Sequence, residues 1–146
     1  MVERELRAER VAERVADPSF TADVIVGFPG ETDERFENTL DVCRRVGFSR
    51  IHIFPYSRRR GTDAALLPDL PGRVKKERLH RLERLAAELT EAYARRFLGR
   101  EVQVLVEEDG GYTERYLKAH VPGAPNTIVR ARVERVEHGE IHGTPA

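Results

Sequence analysis

The chain has 146 residues and a mass of 16.7 kDa, with 40% hydrophobic and 34% charged residues. That length allows one ordinary domain or two small ones, and the apolar content excludes a wholly disordered chain. Lys+Arg 25 against Asp+Glu 25 leaves no global field to draw in nucleic acid or membrane, and no apolar run approaches the ~18 residues of a membrane span.

Residues 3–16 place Leu6, Val11 and Val15 with Ala8 and Ala12 among many charges, a helical spacing that Asp17-Pro18 ends. Residues 22–27 read as a short buried strand, β-branched and almost continuously apolar. Phe28-Pro29-Gly30-Glu31 is a turn, Thr32 a helix N-cap, and Asp33 and Glu34 put negative charge in the first helical turn. Phe36, Leu40, Cys43 and Val46 continue at helical spacing until Gly47, and residues 50–54 form a second strand closed by Pro55. Strand, helix, strand within about thirty residues is a βαβ unit. Two parallel strands alone leave faces and edges uncovered, so the unit reads as a piece of a larger sheet.

A Pro/Gly/Arg-rich loop covers residues 55–72 and a long helix residues 73–98, with Gly99 as its stop. Beyond it the texture changes. Residues 102–106 form a strand, Asp109-Gly110-Gly111 a turn, and residues 112–121 contain another strand. After a loop at 122–126, residues 128–136 alternate and His138-Gly139 turns into a last strand. Short strands with turn signals predict a small β-barrel.

Counting along the sequence, 22 of the basic residues are Arg and 3 are Lys, and they are unevenly spread. Residues 42–62 hold six Arg and no acid, whereas residues 97–146 hold six basic and eight acidic residues, a net of −2. An anion-binding surface is therefore expected on the first part of the chain or near the junction. Tyr112, Tyr116, Arg115 and Lys118 interleave aromatic and basic side chains, a pattern suited to stacking and phosphate contact, although tyrosine on a barrel strand is more often core. Cys43 lies on the apolar face of its helix and reads as a buried thiol. The five histidines show no convincing metal spacing, so no metal ligand is assigned.

The run Asp23-Val24-Ile25-Val26-Gly27-Phe28-Pro29-Gly30-Glu31-Thr32 resembles one late in the radical-SAM domain of the methylthiotransferases. The stretches 46–57, Gly61-Thr62-Asp63-Ala64-Ala65, Val74-Lys75-Lys76-Glu77-Arg78 and 111–117 extend the resemblance, in order, over nearly the whole chain from Phe20. The likeness is greatest to the MtaB-type branch, which modifies N6-threonylcarbamoyladenosine at position 37 of tRNA. The resemblance implies an α/β fold: the C-terminal segment of a partial (β/α)6 radical-SAM barrel at 1–72, a connecting helix at 73–98, and a small OB-like β-barrel, the TRAM domain, at 99–146.

The family uses S-adenosylmethionine and two [4Fe-4S] clusters. The only thiol here is Cys43, so no cluster is expected on this chain and catalysis by it alone is not expected. For S-adenosylmethionine the resemblance points to Val26, Gly27 and Glu31 at the end of the first strand, and Phe54 and Tyr56 at the end of the second. The family's Pro-Arg-Pro-Gly-Thr reads Arg58-Arg59-Arg60-Gly61-Thr62 here, a more basic loop. Arg58, Arg59 and Arg60, with Tyr112, Arg115, Tyr116 and Lys118, are the expected contacts to tRNA, bound weakly. A separate N-terminal chain or self-association would cover the open sheet, with no membrane partner and a cytoplasmic location. The alternative is a non-catalytic RNA-binding or docking module.

Overall fold

A computed structural model describes residues 2–146, with side chains from Arg7 onward. Helix α1 (Val2–Ala12) is followed by β1 (Thr21–Val26), α2 (Asp33–Val46) and β2 (Arg50–Pro55). A short 3₁₀ turn at Asp63–Leu66 interrupts the basic loop, which the sequence does not signal. Helix α3 (Gly72–Arg95) leads into β3 (Glu101–Glu107), β4 (Gly110–Thr113), β5 (Lys118–His120), β6 (Ile128–Glu137) and β7 (Glu140–Pro145). The fold is mixed α/β with a small barrel, as the sequence predicts, but the barrel has five strands rather than four: the single strand expected within 112–121 divides into β4, which begins at Gly110 inside the expected turn, and β5. Two helix boundaries also differ. The first helix ends at Ala12 rather than 16, and α3 gives way at Arg95 to tighter turns that run to Gly99.

β1 and β2 pair in parallel, Thr21 opposite Arg50 through Val26 opposite Pro55. The helix between them is built as its sequence dictates. Thr32 accepts a hydrogen bond from the Arg35 amide at 3.2 Å, and Gly47 ends the helix in the left-handed region at φ 66°. One face of the β1–β2 ladder is covered. Val26 and Ile51 pack with Phe36, Leu40 and Cys43 of α2 and with Leu82 and Leu85 of α3. The opposite face is exposed at Thr21, Asp23 and Ile25 on β1 and at Arg50, His52 and Phe54 on β2. Among the described residues β1 pairs only with β2, and a groove of about 610 Å³ lined by Phe20, Val24, Val42 and Phe48 runs beside its free edge.

The other strands close in the order β3-β4-β5-β7-β6. Closure depends on a two-residue parallel pairing, Ala119 with Ile141 and His120 with His142. The β6–β7 hairpin turns on His138 and Gly139, both at positive φ, as a type I′ turn requires. That turn rests on α3: the Gly139 amide donates to the Glu91 carboxylate at 2.6 Å, and a Cβ at Gly139 would come within 2.6 Å of Thr90. Alternating residues Val102, Val104, Val106, Ala131 and Val133 fill the barrel together with Tyr93, Ala94 and Phe97 from the end of α3. The long helix therefore belongs to two cores.

The segment before β1 is tied to the barrel through Asp17. Its carboxylate meets Arg96 at 2.6 Å and Arg100 at 2.8 Å, and its carbonyl accepts from the Tyr93 hydroxyl and the Arg115 guanidinium. Asp17 sits at φ 51°, a left-handed geometry that Asp and Asn tolerate better than most residues. The Arg100 hydrogen bond holds its carboxyl below the ordinary carboxylate value, opposed by partial desolvation and helped by the charges of Arg100, Arg96 and Arg115. A depressed folded-state value contributes stability above the unfolded value of about 3.9 that is lost as pH falls through the folded one. Asp17→Asn keeps the backbone preference and removes only the charge. Its urea midpoint is expected below wild type at neutral pH, with the difference shrinking in the acid range. A difference independent of pH would show that the charge does not act at this joint.

Candidate functional site

Parallel α/β strands offer ligands their carboxyl ends, where loops leave the sheet and helix N-termini begin. At the end of β1 the chain turns through Gly27 at φ 73° and Gly30 at φ 81°, conformations that carry no side-chain penalty only for glycine. At the end of β2 the Tyr56 amide donates to the Val26 carbonyl at 2.8 Å, drawing the two exits together. Val26 is fully buried below them. Phe28 meets Tyr56 edge to face, with centroids 5.2 Å apart, and Lys75 lies over the Tyr56 ring at 5.6 Å. The Tyr56 hydroxyl is buried with no hydrogen-bond partner. Phe54 stands opposite Ile25 in the register, and both are half exposed on the bare sheet face.

Glu31 is engaged within this turn. Its Oε2 accepts the Gly27 amide at 2.9 Å and the Arg78 guanidinium at 2.6 Å, and Arg78 also donates to the Glu31 carbonyl at 2.9 Å. The other Arg78 nitrogen reaches Asp33 at 2.6 Å. Arg78 arrives from α3 and is only 4% exposed. Burial works against its charge, yet the carboxylates of Asp33 and Glu31 outweigh that penalty and raise its pKa further. A ligand above the turn would thus find the Gly27 amide already occupied, while the aromatic surface of Phe28 remains exposed. Sequence reasoning passed over Arg78 because its partners lie 45 and 47 positions away.

The expected RNA contacts do not form one surface. Arg58, Arg59 and Arg60 follow β2 at the carboxyl end, and Arg58 is held by the Leu67 carbonyl at 3.0 Å. Among the described residues Arg59 and Arg60 have no carboxylate partner. Tyr112, Arg115, Tyr116 and Lys118 instead face the amino end of the same ladder, beside Ser19 and Arg50. Six residues of strand, about 20 Å at ~3.3 Å each, lie between the two groups. Tyr112 and Tyr116 are exposed, so the core reading of these tyrosines does not hold. Arg115 is largely committed to the fold: it donates to the Asp17 carbonyl, pairs with Glu114 and lies over the Phe97 ring. Lys118 is 3.5 Å from Glu140.

Cys43 is buried in the first core, and desolvation raises its thiol pKa despite the neighbouring Arg44 charge. One buried, protonated thiol is a poor cluster ligand. No group of three or more His, Cys, Asp or Glu side chains among the described residues could hold a metal ion. No helix among them is long and apolar enough to cross a membrane.

No family model matches the chain. Individual proteins do. It is 39% identical to the tRNA-2-methylthio-N(6)-dimethylallyladenosine synthase of Bacillus velezensis over all of this chain and 32% of that protein. Identity to the enzyme of the same name from Thermobifida fusca is 48%, over 75% of this chain and 22% of that one. With the threonylcarbamoyladenosine tRNA methylthiotransferase MtaB of Bacillus subtilis it is 36%, over 84% of this chain and 30% of that one. The chain belongs to the tRNA methylthiotransferase family. It spans about a third, or less, of the length of the curated relatives it matches.

In this methylthiotransferase segment the Arg78–Glu31 pair is the most buried ion pair at the turn. Removing one partner of such a pair leaves an uncompensated charge, at a cost of about 3–5 kcal/mol. Arg78→Met is expected to lower unfolding free energy by that order, whereas the double variant Arg78→Met/Glu31→Gln recovers part of it. A loss below ~1 kcal/mol in equilibrium denaturation would contradict the clamp, since that is the range of exposed pairs.

Proposed function

We propose that the chain carries the last part of a radical-SAM barrel, residues 1–72, joined by the helix 73–98 to a TRAM domain at 99–146. The parent reaction is replacement of the C2 hydrogen of an N6-modified adenosine in tRNA by a methylthio group. The observation that carries this reading is the family membership, joined to a parallel strand pair whose outer face is bare and whose carboxyl ends gather aromatic residues. A bare face and a free edge beside an apolar groove are what a sheet continuing into further strands presents.

The residues at that end fit an adenosyl group. Phe54 with Ile25 and Phe28 with Tyr56 offer apolar and aromatic surface, and the Tyr56 hydroxyl is a buried polar atom without a partner. When bound, S-adenosylmethionine supplies the radical chemistry. The part of this chain is to shape the site: Val26 and Gly27 form its floor, Glu31 fixes the turn through the Gly27 amide, and Phe54 and Tyr56 offer the apolar wall. Iron–sulfur clusters do not fit the donor set, because the chain has one cysteine and it is buried. Cluster chemistry is left to residues outside these 146, and the chain alone is inactive. Arg58, Arg59 and Arg60 contribute phosphate contacts to tRNA near the substrate end.

We take the substrate as N6-threonylcarbamoyladenosine at position 37, the MtaB-type reaction, on the combined resemblance of residues 23–32, 46–57, 61–65, 74–78 and 111–117. The relatives from B. velezensis and T. fusca favour a second reading, since their names specify the dimethylallyl derivative. Nucleoside mass spectrometry of bulk tRNA after deletion of the gene separates the two. Loss of 2-methylthio-N6-threonylcarbamoyladenosine with its unthiolated precursor retained is expected. Loss of the dimethylallyl counterpart would transfer the assignment to the second reading, and unchanged levels of both would contradict the proposal.

A further inference from the structure

On the bare face of the β1–β2 ladder three rungs follow one another. Ile25 stands with Phe54 at the carboxyl end, Asp23 with His52 in the middle, and Thr21 with Arg50 at the amino end. Successive rungs on one face lie about 6.6 Å apart, and the strands within a rung about 4.8 Å. The first rung is apolar and half exposed. The last is taken up at the junction with the β-barrel. The middle rung takes no part in either.

Asp23 and His52 are both exposed, and among the described residues neither side chain has a hydrogen-bond or ion-pair partner. They do not bond each other, although their backbones are in register. The alternate residues Val24, Val26, Ile51 and Ile53 face the apolar core on the other side, so packing within this segment does not call for a polar rung. A sheet that continues into a closed barrel turns the bare face inward, where an unpartnered carboxylate and an unpartnered imidazole are each costly. Their partner must offer both an acceptor and a donor, since His52 has a ring N–H to give and an ionised Asp23 can only accept.

The neighbouring rung indicates what that partner is. Phe54 belongs to the apolar wall of the proposed adenosyl site, and reacting atoms must approach within about 3–3.5 Å. The target adenosine therefore lies against the next stretch of the same face. Of the two N6 substituents, dimethylallyl is wholly apolar and would leave both side chains unpaired. Threonylcarbamoyl carries a carboxylate that accepts, and hydroxyl and N–H groups that donate. A polar pair of this kind discriminates strongly, because the wrong substrate strands it.

We infer that Asp23 and His52 are specificity-determining residues for the N6 substituent of the target adenosine: His52 donates to the carboxylate of a threonylcarbamoyl group, and Asp23 accepts from the donors of the same group. The inference rests on the reading of the chain as barrel strands of a methylthiotransferase acting on that nucleoside, and deepens it by assigning the choice of substituent to one rung.

The test is fluorescence anisotropy of labelled anticodon stem–loop RNAs bound to the enzyme that includes the residues completing its barrel. Three RNAs differ only at position 37, which is N6-threonylcarbamoyladenosine, N6-dimethylallyladenosine or adenosine. The first is expected to bind most tightly. His52→Leu should weaken it by about ten-fold to a hundred-fold, as for loss of a hydrogen bond to a charged group, and leave the adenosine RNA unchanged. His52→Gln keeps a donor and should recover part of the loss, and Asp23→Val should also lower the preference. Unchanged binding of the adenosine RNA shows that the variants fold. A preference left intact in either the His52→Leu or the Asp23→Val variant, or an equal loss on all three RNAs, overturns the assignment to this rung. A wild-type enzyme that prefers the dimethylallyl RNA, or has no preference, overturns the substrate reading instead, and binding of none of the three overturns the tRNA reading.

Discussion

Helix α3 holds this protein together because one stretch of 24 residues is built into two cores. Leu82 and Leu85 close the α/β core against Val26 and Phe36, whereas Tyr93 and Ala94 plug the barrel with Phe97 just beyond. At ~1.5 Å per residue the helix is about 36 Å long, so its two ends serve sites that do not touch. Near its start Arg78 reaches under the β1 turn and fixes Glu31. Near its end Thr90 and Glu91 receive the β6–β7 hairpin, and Thr90 also donates to the Ser49 carbonyl before β2. Bending or unwinding the helix would therefore alter the turn after β1 and the seating of the barrel together.

The two ends differ in chemistry as well as in place. The carboxyl end of the β1–β2 ladder offers aromatic surface with a buried hydroxyl lacking a partner, bordered by a loop carrying free guanidinium groups. The amino end offers tyrosines on a rigid barrel turn, with Arg115 spent on locking that turn to the segment before β1. A balanced total charge conceals this division. Among the described residues Arg59 and Arg60 at one end and Arg50 at the other have no carboxylate partner, whereas acids of the barrel strands are paired, as Glu101 is with Arg132 at 3.3 Å.

Local signals were legible in the sequence wherever the physics was local. Thr32 and Gly47 announce the limits of α2, the β-branched run announces β1, and alternation from Ile128 announces β6. Long-range pairings were not legible. Barrel closure rests on β5, three residues long, which meets β7 twenty-two positions away in parallel, and no periodicity in so short a strand reveals it. The resemblance singles out Glu31, but its part in tying the turn depends on Arg78, which only the packing of α3 brings near. The basic and aromatic residues were legible as a class. Their separation to opposite ends of a ladder was not, because composition carries no direction along a strand.

The proposed tRNA reading is tested most directly by the places where RNA touches the chain. Photo-crosslinking of unmodified tRNA to the protein, followed by mass spectrometry of the crosslinked peptides, reads those places without any substitution. Crosslinks are expected in two clusters, around Arg58–Arg60 and around Tyr112–Lys118, joined to different nucleotides of the same tRNA. Crosslinks confined to one cluster, or spread along the solvent face of α3 instead, would contradict it.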